Sequence, residues 1–264
     1  MPVPASVGSD SMSNECYGSP RAMPSILDRM GLAMSLGRHL DGIWIGSWSG
    51  RPADLTRVEQ ALLLVKQYSP LSYARIIRDL ERIWVFLLPH GLGQYRASLK
   101  ACLLDERYVA DPATSIERIA STIVHEATHA RLQRYGIGYE EKRRARIEAI
   151  CFRRELAFAA RLPDGAQLRQ GITRYLDWYQ ANPDYFSDAQ FQKRRTDNEI
   201  EALRYLETPD WLIRAYPVLR SLKDLTRKLF RFGSRVLARF DCLSGAPDRR
   251  HGARDYEPVL FPEE

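Results

Sequence analysis

The sequence predicts an α+β fold, because segments with helical periodicity flank a short segment with the composition of β-strands. The chain has 264 residues, of which 45% are hydrophobic and 27% are charged. This balance is typical of a globular protein with one substantial core, and it excludes a disordered or fibrous class for most of the chain. After residue 111, two helical segments follow each other closely.

Two helices are predicted ahead of the strands. From Asp54, apolar residues recur at steps of three and four, as in an amphipathic helix; they are Leu55, Val58, Leu62 and Val65. The tripeptide Tyr68-Ser69-Pro70 interrupts this pattern. A second, shorter helix is therefore expected over about residues 72–82.

The strand-rich segment follows these helices. Residues 83–89, IWVFLLP, are apolar and rich in β-branched and aromatic types, which predicts a buried strand closed by a turn. Two further stretches of strand composition lie within residues 94–109, at 101–104 and 107–109. We expect a small antiparallel sheet or hairpin here. Residues 43–45, which are flanked by glycines, fit either another strand or a loop with aromatic anchors.

The next predicted element is a helix over about residues 115–135. Thr114 and Glu117 match the capping-box pattern, and Gly136 supplies the left-handed residue that commonly ends a helix. A second helix is expected over about residues 139–162, before Pro163. Because only a few residues join the two, they should pack as an antiparallel pair.

The first of these helices carries the sequence His125-Glu126-Ala127-Thr128-His129. Residues four apart on a helix lie almost above one another, so the two imidazoles would face one point and could chelate a metal. Glu126 lies about 100° around the helix from His125, where it could reach a metal-bound water without being a ligand. Zinc needs a third protein ligand and an open position for that water.

Glu148 is the third ligand that the spacing favours. Eighteen residues separate it from His129, and it lies about 14 Å along its helix from the turn, level with Glu126 in an antiparallel pair. Glu155 lies seven residues further on and shares its face, so it remains an alternative. If Glu148 binds the metal, Glu155 could orient a ligand instead.

The pattern of His125, Glu126, His129 and Glu148 resembles the gluzincin branch of the zincin-like metallopeptidases, with HExxH on one helix and a glutamate ligand on the next. The preceding strands are similar to that family's small sheet, whose edge strand lines the substrate cleft. The resemblance implies a zincin-like core, Zn2+ as cofactor, and His125, His129 and Glu148 as its ligands. It implies that Glu126 activates a zinc-bound water for peptide-bond hydrolysis.

Two roles within this site stay open in the sequence. Some gluzincins carry an acidic group four residues after the third ligand, but Phe152 stands there, so the partner of the histidine ligands is undefined. An oxyanion donor should also be present. Tyr185, Tyr205 and His90 are candidates, but an ordinary surface role is the simpler interpretation for each of them, and none is assigned.

The C-terminal part is basic. Residues 211–240 contain eight Arg or Lys against one acid, Asp224, and carry an apolar stripe at helical spacing. A core-packing helix with a solvated basic face is the simpler interpretation. The alternative is a non-enzymatic protein that binds a membrane surface or an anionic partner through this helix, with no chemical role for HEATH. No base-reading motif predicts specific nucleic-acid binding.

The predicted organisation has four parts: a flexible leader at 1–24, a zincin-like catalytic core at 25–165, a helical extension at 166–240 and a flexible tail at 241–264. No apolar run reaches the roughly 18 residues of a membrane span, and the first residues lack the pattern of a secretory signal. The four cysteines show no CxxC pairing. These features predict a cytoplasmic protein, and the resemblance described above implies a hydrolase that acts on a peptide or protein.

Overall fold

The structure is a computed structural model that describes residues 23–89 and 91–218. Its elements are α1 (Ile26–Met34), β1 (Leu36–Leu40), β2 (Ile43–Ser47), α2 (Pro52–Tyr68), α3 (Pro70–Asp79), β3 (Arg82–Phe86), β4 (Gly93–Arg96), β5 (Ala101–Asp105), α4 (Glu106–Ala110), α5 (Ile116–Arg134), α6 (Glu141–Ala159), α7 (Ala166–Ala181) and α8 (Asp188–Tyr205). Residues 210–218 are helical and belong to a separate compact part that begins at residue 210. The predicted α+β class is confirmed.

The sheet is mixed, so the expectation of an antiparallel sheet is wrong. Its strand order is β1-β2-β3-β5-β4; β2, β3 and β5 are parallel, and the outer strands β1 and β4 run antiparallel to their neighbours. Helices α2 and α3 lie between β2 and β3 and return the chain to the starting end of the sheet, which makes these two strands parallel. The predicted hairpin is present only where a short turn joins β4 to β5.

The helices ahead of β3 match the expectation. Helix α2 buries Leu55, Val58, Leu62 and Val65, the four residues of the predicted stripe. Helix α3 begins with Pro70 at its first turn, a position where proline costs no hydrogen bond. Residues 43–45, which fitted either a strand or a loop, lie in β2.

Residues 107–109 form part of helix α4 and not the expected strand. The carboxylate of Asp105, the last residue of β5, accepts hydrogen bonds from the backbone N–H groups of Arg107 and Tyr108. This cap satisfies two donors at the helix start and outweighs the strand-like composition of Arg107-Tyr108-Val109. Helix α1 and strand β1 were not predicted. Their residues are mostly exposed and so give little buried periodicity.

Helices α5 and α6 form the expected antiparallel pair. Their contacts run in opposite directions along the chain, because Ser121 meets Glu155 whereas His129 meets Glu148. The cap of α5 differs from the prediction. Ser115 is the N-cap residue, and its hydroxyl accepts from the N–H of Arg118, so the Thr114 capping box is wrong by one residue.

Helix α5 lies in the middle of the core. It contacts α2, α3 and α6 as well as strands β4 and β5. Its buried side chains run from Ile119 to Ala130 and include both histidines of the motif. The position of α5 between sheet and helices therefore explains why a polar turn of this helix is covered.

The segment after α6 is helical, as expected. Helices α7 and α8 are joined through a short 3-10 turn at Pro183–Phe186. An aromatic cluster beside α6 contains Phe152, Tyr179 and Phe186. The predicted leader at 1–24 lies almost wholly outside the described residues. The tail at 241–264 and the basic helix beyond residue 218 lie outside them as well. Among the helices of the described part, none has the length and apolar character needed to cross a membrane.

Candidate metal centre

The two histidines of α5 face one point. Their Nε2 atoms lie 3.1 Å apart, and their ring centroids are separated by 4.9 Å. This follows from the four-residue step along the helix, which stacks His129 one turn after His125. Both side chains are buried, with 3% and 1% of their surfaces exposed. Two imidazole nitrogens therefore meet inside the protein.

Glu148 reaches the same point from α6. Its Oε2 lies 3.2 Å from Nε2 of His125, and its Oε1 lies 3.5 Å from Nε2 of His129. The antiparallel packing thus brings Glu148 level with the histidines, as the spacing predicted. Only 1% of Glu148 is exposed, so its carboxylate is compensated by these neighbours and not by bulk water.

These three donors fit a zinc ion. Zinc binds imidazole nitrogen and carboxylate oxygen at about 2.0–2.2 Å, so neighbouring ligand atoms of a tetrahedral site lie roughly 3.3 Å apart. The two Nε2 atoms lie 3.1 Å apart here, and each lies 3.2 or 3.5 Å from a different oxygen of the Glu148 carboxylate. Two neutral imidazoles with one carboxylate also form a known catalytic zinc ligand set. Both the spacing and the chemistry of the donors therefore suit this metal.

Cys151 is a further potential ligand that the sequence analysis did not single out. One ligand atom each of His125, His129 and Cys151 lie within 4.8 Å of one another. Cys151 follows Glu148 by three residues on α6 and is buried. We favour Glu148 as the third ligand, because its oxygens lie at ligand spacing from both Nε2 atoms. Burial, followed by the charges of nearby carboxylates, raises the pKa of the Cys151 thiol and opposes the thiolate that binds zinc.

Further side chains hold these donors from outside. Nδ1 of His125 lies 2.5 Å from Oε1 of Glu155, and the hydroxyl of Ser121 donates to Oε2 of Glu155 at 2.7 Å. The hydroxyl of Tyr139 donates to Oε1 of Glu148 at 2.5 Å. Glu155, the alternative third ligand, thus contacts Nδ1 of His125, the ring nitrogen that faces away from His129 and Glu148.

Glu126 lies between α5 and the edge strand β4. Its carboxylate accepts a hydrogen bond from the backbone N–H of Tyr95. A Cβ atom placed on Gly93 would lie 3.2 Å from Oε1 of Glu126 and 2.6 Å from Cγ2 of Thr122. The absence of a side chain at Gly93 therefore allows the strand backbone to approach Glu126 closely.

Burial controls the protonation of Glu126. Removal from water raises its pKa to about 8; the nearby His125 lowers the pKa and Glu148 raises it. Without a metal, this carboxyl therefore holds its proton at neutral pH. A cation beside it would favour the ionised form that a general base requires.

The pKa values of the three donor side chains are shifted in different directions. Burial lowers the pKa of His129 to about 4 against the opposing charge of Glu148, and the charge of His125 adds to the lowering, so the imidazole of His129 is neutral. Burial opposes ionisation of Glu148, but the two histidines hold its pKa at about 2. Burial also acts against protonated His125, yet Glu155 and Glu148 outweigh this effect and hold its pKa well above the usual range.

Tyr139 and Ser121 were not predicted to belong to the site. The position of Ser121, one turn before His125, was a signal that could have identified it. Two candidates for the oxyanion donor have other contacts. Tyr185 packs in the aromatic group with Trp178 and under Arg194, and Tyr205 lies against Arg107. The third, His90, lies outside the described residues.

The chain matches no protein-family model, no curated protein and no solved structure.

Proposed function

We propose that this protein is a zinc-dependent peptidase of the gluzincin type, with His125, His129 and Glu148 as metal ligands and Glu126 as general base. One observation carries the proposal. Three donor side chains from two packed helices meet with their nitrogen and oxygen atoms 3.1–3.5 Å apart, and Glu126, the residue next to His125, adds a buried carboxylate. A zinc ion at this centre would polarise the scissile carbonyl and lower the pKa of the attacking water.

The role of Glu126 follows from its place on α5. It takes the proton of the attacking water and returns it to the leaving amine, which requires a carboxylate within hydrogen-bond reach of both. The backbone N–H of Tyr95 holds this carboxylate in place. Because β4 is an edge strand that touches Glu126, an extended peptide along that strand would lie beside the base.

Tyr139 supports Glu148 in this proposal. Its hydroxyl donates to one carboxylate oxygen, and its ring lies edge-on to His129 with the centroids 5.7 Å apart. Tyr139 therefore restrains a glutamate and a histidine of the proposed ligand set together. Such outer contacts hold ligands in the geometry that the metal needs.

The test compares the wild-type chain with Glu126→Gln. The four side chains of the centre are each at most 3% exposed, so part of the cover must open for a substrate, and short unstructured peptides are suitable first substrates. We expect about one zinc ion per chain in both proteins. Peptide hydrolysis should be lost in Glu126→Gln, by about 100-fold or more.

Two other outcomes would contradict this function. Zinc binding with equal, background hydrolysis in both proteins would indicate a zincin-like fold that has lost catalysis. Absence of zinc, with salt-sensitive binding to anionic liposomes, would favour the alternative function of the basic residues 211–240. Of that segment the structure describes only residues 211–218.

A further inference from the structure

We propose that Ser121 and Glu155 form a positioning pair for His125, which fixes the orientation and the tautomer of this metal ligand. The inference rests on the proposed function, since it assigns His125 the role of a ligand. Glu155 comes from α6 and Ser121 from α5, so the pair also joins the two helices. Both residues are buried, with 7% and 1% of their surfaces exposed.

The contacts of Glu155 suit a positioning residue. Its Oε1 lies 2.5 Å from Nδ1 of His125, and its Oε2 accepts from the hydroxyl of Ser121 at 2.7 Å. Each carboxylate oxygen thus has a partner on α5. Glu148, one heptad earlier on the same face of α6, instead reaches the Nε2 atoms of both histidines. The two glutamates therefore lie against opposite nitrogens of the His125 ring.

This arrangement determines which nitrogen of His125 can bind a metal. A carboxylate facing Nδ1 keeps a proton on that nitrogen, so the proton that a metal displaces is the one on Nε2, which faces Glu148 and His129. The ring of Phe152 packs edge-on against His125, with the centroids 5.0 Å apart, and limits rotation of the imidazole. Ser121 restrains Glu155 in turn, so the hydrogen bond to Nδ1 keeps its direction.

The pair also answers a question left open by the sequence. Phe152 occupies the position, four residues after Glu148, where some gluzincins carry an acidic group. Here the acidic partner stands seven residues after Glu148, and a serine one helical turn before His125 holds it. The combination of Ser121 with Glu155 is therefore a feature of this chain's own helix pair.

Zinc affinity is the first measurement. Metal-free full-length protein is titrated with Zn2+ against a chromophoric chelator for wild type, Glu155→Ala, Glu155→Gln and Ser121→Ala. Glu155→Ala should weaken zinc binding about 10- to 100-fold. Zinc affinity should fall less in Glu155→Gln, whose amide oxygen can still accept from Nδ1, and in Ser121→Ala. In each of these variants we expect a loss of at least about threefold. The control is Glu140→Gln, an exposed glutamate at the start of α6, which should bind as wild type.

A second readout separates positioning from general structural support. In the zinc-loaded wild-type protein, nitrogen-15 NMR of labelled histidines should show a slowly exchanging proton on Nδ1 of His125. This signal should be lost or broadened in Glu155→Ala and kept in Glu140→Gln. If Glu155→Ala does not fold, Glu155→Gln and Ser121→Ala decide the question by zinc affinity.

The inference is overturned if wild type binds zinc while Glu155→Gln and Ser121→Ala bind it equally well. In that case the proposed function stands, because the metal site itself is intact. If the wild type binds no zinc, both the function and the pair's role fail together. Loss of affinity with an unchanged Nδ1 signal would also contradict the assignment, since it would show that the tautomer does not depend on Glu155.

Discussion

Nε2 of His125 lies 3.2 Å from Oε2 of Glu148, so a residue of α5 and a residue of α6 bring two potential metal-ligand atoms together inside the core. The hairpin of α5 and α6 creates this relationship, because 18 residues between His129 and Glu148 are enough to turn the chain and return it to the same level.

Glu148 should contribute more to zinc binding than Cys151. Glu148→Gln removes a charged ligand between both histidines, and we expect zinc affinity to fall by more than the roughly 10- to 100-fold typical of outer contacts. Cys151→Ser should change affinity only about twofold or less. Competition titration of both metal-free variants measures this. The reverse ranking would assign the third ligand to Cys151.

Tyr139→Phe should weaken the site without removing it. The hydroxyl donates to Glu148, and its loss leaves one carboxylate oxygen without this restraint. We expect zinc affinity to fall about 10-fold, in the range for an outer contact of a ligand. A matched control is Tyr175→Phe in α7, whose ring stacks on Phe152. Equal affinities for Tyr139→Phe and wild type would show that the hydroxyl does not support the ligand.

Gly93→Ala should disturb Glu126 through packing alone. The added methyl would lie 2.6 Å from Cγ2 of Thr122 and 3.2 Å from Glu126, so the strand or the carboxylate must move. We expect a loss of about 1–3 kcal/mol in the free energy of unfolding, with reduced hydrolysis and normal zinc content.

Gly171→Ala is the control for this variant, since a Cβ at Gly171 in α7 meets nothing within 4 Å. It should be neutral or more stable by up to about 1 kcal/mol, as for alanine in a helix interior. Urea unfolding measures both variants. A Gly93→Ala protein with wild-type stability and hydrolysis would show that the close approach of β4 to Glu126 matters for neither property.

Glu126 should make the metal-free protein less stable as the pH rises from about 4.5 to about 8. Burial raises the pKa of this carboxyl from its ordinary 4.5 to about 8. Between these values the folded chain holds a proton that the unfolded chain has released, so the free energy of unfolding falls with rising pH. Glu126→Gln lacks this group and should lack its share of the fall.

The measurement is urea unfolding of both metal-free proteins at about pH 5, 6.5 and 8, across the window in which the two states differ in bound protons. Other titrating groups are common to both chains, so the stability of Glu126→Gln relative to wild type should grow with pH. A difference that stays constant would show that Glu126 is ionised in the folded protein throughout.

The sequence predicted the helix pair well because its signals are local. The stripe of Ile119, Ile123 and Ala127 determines which face of α5 is buried, and the spacing of Glu148 follows from helix geometry and a short turn. Periodicity also identified α2 and α3. These features depend on residues that are close together in the chain, so they can be predicted from a single sequence.

The remaining features depend on contacts between distant residues. The parallel pairing of β2 with β3 follows from the route of the chain through α2 and α3, and strand composition alone does not determine it. Helix α4 forms because Asp105 caps it. The contact of Tyr139 with Glu148, and the nearness of Cys151 to the histidines, depend on side-chain directions that spacing leaves undetermined.

The most direct test of the proposed centre is a measurement of bound zinc. Wild type and His125→Ala are stripped of metal and reloaded with zinc, and the zinc that each retains is measured by elemental analysis. We expect about one tightly bound zinc per wild-type chain and none in the variant, because the ion would lose one of three protein ligands. Wild-type protein that retains no zinc, or a variant that retains as much as wild type, would contradict a metal held between α5 and α6.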